Sequence, residues 1–317
     1  MVSAAKRSER GVALLVTMMA LALMTLLVMD FTTSASLGYR SAAGQANELR
    51  AEYLARSAVS VGLSLLSADS QQDALAKTPH DGLDEPWAQP YPPVPLGGGV
   101  AQVSIADEAR KFDINLLINP RTGQPSPIYL AIAERLFTNI GVSPAIIPAI
   151  VDWLDPDSIE SPGGAEADYY LRLIPPYEPR NGPMPTIGDL RMIRGVDDAT
   201  FAVLQQFLTA APEPRVNINT ASPEVIAAMV PQLSNDTSMV KQIVQARTVQ
   251  PFLMVTDVGN LAGLGDAATP LMRLITTRSA YFTITGVGVF ANSRRRIIST
   301  FRRNPNGTSM LASWQEG

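Results

Sequence analysis

The sequence predicts an α+β protein with a long N-terminal helix, a small antiparallel sheet, and a large α-helical domain inserted into that sheet. Three observations predict it. An uncharged stretch, GVALLVTMMALALMTLLVM at 11–29, runs on into amphipathic sequence. Alternating segments stand near residue 100 and again near residue 281. Between them lies a long, mostly helical middle that repeats itself. Strand signals flanking a helical middle describe a sheet with an insert.

The uncharged stretch is long enough to cross a bilayer as a helix. Lys6, Arg7 and Arg10 precede it, so the N-terminus stays in the cytoplasm and the body lies across the membrane. Three readings compete. A cleaved secretory signal would use the small residues Ser34, Ala35 and Ser36, although its apolar core normally runs shorter. A plain signal anchor is the second. In the third, a prepilin-like leader, a peptidase cuts between Gly11 and Val12 and the apolar helix stays on the mature chain.

Past the anchor, Leu49, Leu54, Val59, Leu63 and Leu66 recur at mostly helical spacing, with Glu48, Arg50, Glu52 and Arg56 on other faces. One helix is expected from about Val12 to Ser67, with bends near Gly38 and the Thr32–Ser36 stretch. Residues 70–98 are dense in proline and glycine and read as a loop. Val100, Gln102, Val103 and Ile105 then mark a strand. Near the C-terminus, Tyr281, Thr283 and Thr285 alternate with Phe282 and Ile284. Asn292 and Ser293 turn the chain, and Arg296, Ile298 and Thr300 return it. The run Arg294–Arg296 fits either a dock for an acidic partner or charge on a hairpin edge that blocks aggregation.

The middle holds an internal repeat. DLRMIRGVDDA begins at Asp189 and DVGNLAGLGDA at Asp257, 68 residues later. Upstream stand matching starts, Phe112-Asp113-Ile114-Asn115 and Val216-Asn217-Ile218-Asn219. Two diverged helical units are expected at 112–209 and 216–275, with Gly195 and Gly263 in tight turns that need positive φ. The expected layout is a leader at 1–11, an anchor at 12–30, a core from 31–111 and 279–317, and an insert at 112–278.

Composition narrows the chemistry. The 317 residues suffice for two cores, and 46% are hydrophobic. Cysteine is absent, which excludes disulfides and thiolate chemistry. The net charge of −4 divides into +2 for residues 1–11, −11 for 12–214 and +5 for 215–317. An acidic middle repels nucleic acid and suits calcium or basic partners. The only histidine, His80, lies beside Asp81 in the proline-rich loop, and neither a P-loop nor a G-x-G-x-x-G fingerprint is present. No enzyme is expected.

Two motifs could bind a ligand. VNINTASPEVIAAM with DVGNLAGLG resembles helix-hairpin-helix (SAM-like) units, in which a glycine hairpin offers amides to phosphate. Here the hairpin position reads VPQLSNDTS, without glycine, so the fold is expected without the DNA grip. VDWLDPDSIESPGGAEADYY places Asp152, Asp155, Asp157, Glu160, Glu166 and Asp168 within 17 residues, with no local lysine or arginine. A calcium ion would relieve their repulsion, and the absence of nearby histidine or cysteine disfavours softer metals. An exposed acidic loop is the alternative.

Together, the basic leader before VALLVTMMALALMTLLVM, DEARKFDIN, the acidic loop, VNINTASPEVIAAM and SAYFTITGVGVFANSRRR resemble the minor pseudopilin K family of type II secretion, also called general secretion pathway protein K. The resemblance covers nearly the whole chain. It implies a pilin-like core with a helical insert, prepilin peptidase cleavage after Gly11, and methylation at Val12. It implies a structural calcium ion in the insert, carried here onto Asp155, Asp157, Glu166 and Asp168, with Glu160 beside them. Pilin-like subunits mostly have glutamate at the fifth mature residue; here that residue is Val16. An unpaired carboxylate is costly in an apolar filament core, so a subunit without one suits the tip, where nothing stacks above it. The implied partners are other minor pseudopilins, the prepilin peptidase, the inner membrane and the secreted substrate, with no nucleic acid. A tethered helix-hairpin-helix DNA-binding protein and a minor pilin of a type IV pilus are the alternatives.

Overall fold

A computed structural model describes residues 3–304 and 308–317, with side chains from Gly11 onward. The basic cluster Lys6, Arg7 and Arg10 therefore lies outside the described side chains. Helix α1 (Ser3–Leu75) is followed by β1 (Val94–Leu96) and β2 (Gly99–Asp107). The insert then comprises β3 (Phe112–Asp113), α2 (Pro127–Asn139), α3 (Ile147–Leu154), α4 (Ala167–Tyr170), α5 (Asp198–Phe207), β4 (Leu208–Thr209), β5 (Val216–Asn217), α6 (Pro223–Met229), α7 (Pro231–Asn235), α8 (Thr237–Val249), α9 (Val255–Gly259), α10 (Ala268–Leu274) and β6 (Ile275–Thr276). The chain closes with β7 (Tyr281–Phe290), β8 (Ser293–Arg303) and β9 (Ser309–Glu316).

Helix α1 is longer than expected, 73 residues, and runs without interruption through Gly38. Thr32 and Thr33 donate their hydroxyls to Val28 and Met29 carbonyls, so this polar stretch is satisfied inside the helix. The end of α1 and β1 replace parts of the loop expected over 70–98. Strand β9 was not expected at all. It pairs with β8 and makes the sheet five-stranded and antiparallel, in the order β1-β2-β7-β8-β9.

The face of α1 on the sheet is defined by small residues. Ala51, Leu54, Ala55, Ala58, Val59 and Leu66 are buried and Leu63 packs beside them, so of the residues read from spacing only Leu49 is exposed. The reason is close approach. A Cβ at Gly286 would strike the Ala55 carbonyl, and one at Gly288 the Ala51 carbonyl. Glycines on β7 and alanines on α1 let two backbones touch, and a leucine at 49 has no place in that contact. Phe282, Ile284, Ile297, Phe301 and Trp87 complete this core.

The insert has its own larger core, continuous from Phe112 to Ile275. Two parallel bridges subdivide it. Residues 112–113 pair with 208–209, and 216–217 pair with 275–276. Gly195 and Gly263 have φ of 86° and 90°, the left-handed region expected for them. Arg135 on α2 ties the two parts together by donating to the Ala228 and Met229 carbonyls at the end of α6, at 2.8 and 3.2 Å.

A buried polar joint fixes the insert to the sheet. Arg303 donates to Asp69 at 2.8 Å and to both oxygens of Asp81 at 2.5 Å. Asp81 accepts from the Ser279 amide at 2.6 Å. Asp107, at the end of β2, accepts from the Ser279 and Thr220 hydroxyls at 2.7 and 2.8 Å. These groups come from α1, the loop after it, β2, the insert and β8. Removing any one leaves buried partners unpaired.

Candidate functional site

The first site is the apolar part of α1. Its apolar run is long enough to cross a bilayer, and none of those residues is buried. Val12, Leu14, Leu15, Val16, Met18 and Met19 are all more than half exposed. Thr17 and Thr25 donate to the Leu14 and Leu21 carbonyls at 2.8 Å, which hides their hydroxyls from an apolar medium. Gly11 and Val12 lie within the helix, and Val16 is one turn further on.

The second site is the acidic loop after α3. Asp155 follows the last helical residue, and Glu166 immediately precedes α4. The structure brings oxygens of Asp155, Asp157 and Glu166 within 4.8 Å of one another. Glu160 and Asp168 lie outside this cluster, both exposed, and Asp168 occupies the first turn of α4. Asp152 is fully buried and accepts from the Ser161 amide at 3.2 and 3.1 Å. The loop is pinned elsewhere. Arg194 donates to the Gly164 carbonyl at 2.8 Å, and Asn181 donates to the Asp157 carbonyl at 2.7 Å.

The loop's electrostatics are unbalanced. Oδ1 of Asp155 and both carboxylate oxygens of Glu166 are buried without a hydrogen-bond partner. Burial, then Asp157 and Asp152, push Asp155 up to about 6. Burial, then Asp152 and Asp155, push Glu166 up to about 7. Buried carboxylate oxygens without donors call for a proton or a cation. An all-oxygen cluster of this span fits calcium, whose ligands stand roughly 2.3–2.6 Å from the ion. Sequence spacing could not separate Asp155, Asp157 and Glu166 from the other acids, because only the path of the loop decides which oxygens converge.

The helix-hairpin-helix position is filled differently from a phosphate-binding hairpin. VPQLSNDTS contributes α7, with Ser234 donating to the Ala227 carbonyl and Asp236 accepting from the Ser238 amide. His80 is largely covered, and its Nε2 stands 3.7 Å from Asp84.

Family models for the type II secretion system (T2SS) protein K match residues 110–213 and 216–278, together more than half of the chain. The chain belongs to this family. It is a minor pseudopilin of type II secretion, a structural component of that system. The type II secretion system protein K of Pseudomonas aeruginosa is 29% identical over 311 residues, covering 95% of this chain and 91% of that protein. The protein K of Klebsiella pneumoniae is 29% identical over 298 residues, covering 90% of each. That of Aeromonas hydrophila is 26% identical and covers 96% of each. A chain in the crystal structure of the GspK-GspI-GspJ complex from the enterotoxigenic Escherichia coli type 2 secretion system superposes with a TM-score of 0.74 at 22% identity, covering 87% of this chain and 99% of that one. The fold is thus shared with a pseudopilin. Among the described residues one helix is long and apolar enough to cross a membrane, which fits a single-pass anchor carrying a separate body.

Proposed function

We propose that this minor pseudopilin occupies the tip of the pseudopilus, primes its assembly, and supports protein export across the outer membrane. Before assembly it is held in the inner membrane by residues 12–30, with its body in the periplasm. Prepilin peptidase cuts between Gly11 and Val12, and Val12 becomes the methylated N-terminus. The observation that carries this reading is the apolar stretch of α1, which no other described residue covers. Such a surface needs lipid or sister helices. Val16 adds no carboxylate to that medium, which suits a subunit with no neighbour above it.

Other minor pseudopilins are the partners, as in the complex whose chain shares this fold. The secreted substrate is a further candidate contact. The subunit works by binding and helix packing rather than by catalysis. The glycine hairpin that would offer amides to phosphate is replaced by α7, so this reading includes no nucleic-acid partner. The two bracketed halves of the insert are read as diverged copies of one unit. Asp155, Asp157 and Glu166 would hold a calcium ion, which would neutralise their mutual repulsion and fix the loop between α3 and α4. The test is Val16→Glu in the secreting cell. Altered filament length and reduced export are expected, and unchanged filaments with unchanged export would overturn the tip placement.

A further inference from the structure

The arginine run at 294–296 sits on β8 beside the β7–β8 turn, and pairing with the C-terminal strand reaches only Arg296. Strand β8 lies between β7 and β9 in the sheet. The Arg296 amide donates to the Gly317 carbonyl at 2.8 Å. The run is divided between the two faces. Arg295 pairs with Glu48 of α1 at 2.5 Å. Arg294 and Arg296 project from the opposite face, over Gln102, Ser104, Thr285 and Val287. Both are exposed, and among the described residues neither has a carboxylate within salt-bridge distance.

This face is concave. A cavity of about 230 Å³ beside Arg294 and Arg296 adjoins one of about 500 Å³ between the sheet and the insert. Arg296 and Thr285 line both. The one acid lining either cavity is Glu108, which is already engaged. Its Oε1 accepts from Thr283 at 2.7 Å, and its Oε2 from Thr209 at 2.6 Å. Lys111 stands 3.4 Å from Oε2. Arg191 in the groove is paired with Asp198. Among the described residues the groove therefore keeps two guanidinium groups outside salt-bridge distance of any carboxylate, over a floor that includes Gln102, Ser104 and Thr285, in a protein whose net charge is −4.

We propose that this groove binds an acidic protein segment in extended conformation. Arg294 and Arg296 are two residues apart on one strand face, about 7 Å at the rise of a β-strand. Alternate side chains of an extended peptide have the same spacing, so a Glu-x-Glu segment laid along β8 places one carboxylate at each guanidinium. Planar guanidinium groups recognise carboxylates by paired hydrogen bonds. The hydroxyls and amides of the floor can satisfy the peptide backbone between them. This proposal stands apart from the tip placement and survives its failure.

The test is fluorescence anisotropy with the full-length protein in a non-ionic detergent. The probe is a fluorescein-labelled peptide of alternating Glu and Ser. Salt-sensitive binding is expected. It should weaken at least about tenfold in the Arg294→Gln/Arg296→Gln double variant and stay unchanged in Arg172→Gln, an exposed arginine on the insert. A peptide of the same composition with its glutamates in one block should bind several-fold more weakly. Equal binding by the double variant, or by the block peptide, would overturn the proposal. So would tighter, Arg294- and Arg296-dependent binding of oligothymidylate or of phosphatidylglycerol vesicles. Matching melting curves for the variants show that any loss is not unfolding.

Discussion

Asn219 grips the backbone of Phe252 from both sides. Its Nδ2 donates to the Phe252 carbonyl, and its Oδ1 accepts from the Phe252 amide, both at 2.9 Å. Asn115 does the same to Met184 in the other half of the insert. Its Oδ1 accepts from the Met184 amide at 2.8 Å, and its Nδ2 donates to the carbonyl at 3.1 Å. The residue two places earlier also matches, since Asp113 and Asn217 each accept from the asparagine's own amide at 3.0 Å. The matching starts FDIN and VNIN thus encode a shared hydrogen-bond pattern.

Asn219→Ala should cost about 2–5 kcal/mol, because it leaves the buried Phe252 amide and carbonyl unpaired. Asn219→Asp should also destabilise, since a carboxylate cannot donate to the carbonyl. Chemical denaturation of the full chain in detergent measures both. A change below about 1 kcal/mol for Asn219→Ala would show that the clamp does not hold the unit together.

Stability should fall as pH rises from about 4 to about 7. Asp113 and Glu213 are buried and line one small cavity with Phe112, Tyr129 and Val216. Burial pushes each up to about 7. A carboxyl whose folded pKa exceeds its unfolded value of roughly 4 binds more protons when folded. Its contribution is therefore fully present below about 4 and is lost as pH approaches 7. Melting temperatures across this window check the sign, and Glu213→Gln should flatten the slope. A melting temperature that rises through the window would refute the assignment.

Calcium should raise the melting temperature at pH 7 relative to chelator. The gain is about 2.7 kcal/mol when free calcium is about 100 times its Kd. Glu166→Gln should abolish most of this gain while raising stability in chelator, because one buried, unpaired charge is removed. Asp168→Asn should leave the gain intact, since Asp168 lies outside the converging oxygens. Identical melting of the wild-type protein in calcium and in chelator would dismiss the site.

Much of this architecture was legible because it rests on periodicity. The apolar run, the alternation in β2, β7 and β8, and the repeated starts all follow from local spacing. Three things were not legible. Strand β9, SMLASWQE, alternates poorly and is mostly exposed, so its place depends on the free side of β8 rather than on its own pattern. Leu49 looked like a core residue, but the sheet selects the alanine face of α1, and the glycines that cause this lie over 230 residues away. The joint of Arg303 with Asp69 and Asp81 joins residues more than 220 positions apart, and no spacing rule connects them.

The central claim is that the apolar rod stays on the mature protein, and intact mass spectrometry of the protein purified from membranes of the native host tests it most directly. The predicted result is a chain beginning at Val12 and carrying one methyl group on its amine. A chain beginning near Ser36 or Leu37, with the rod removed, would contradict it.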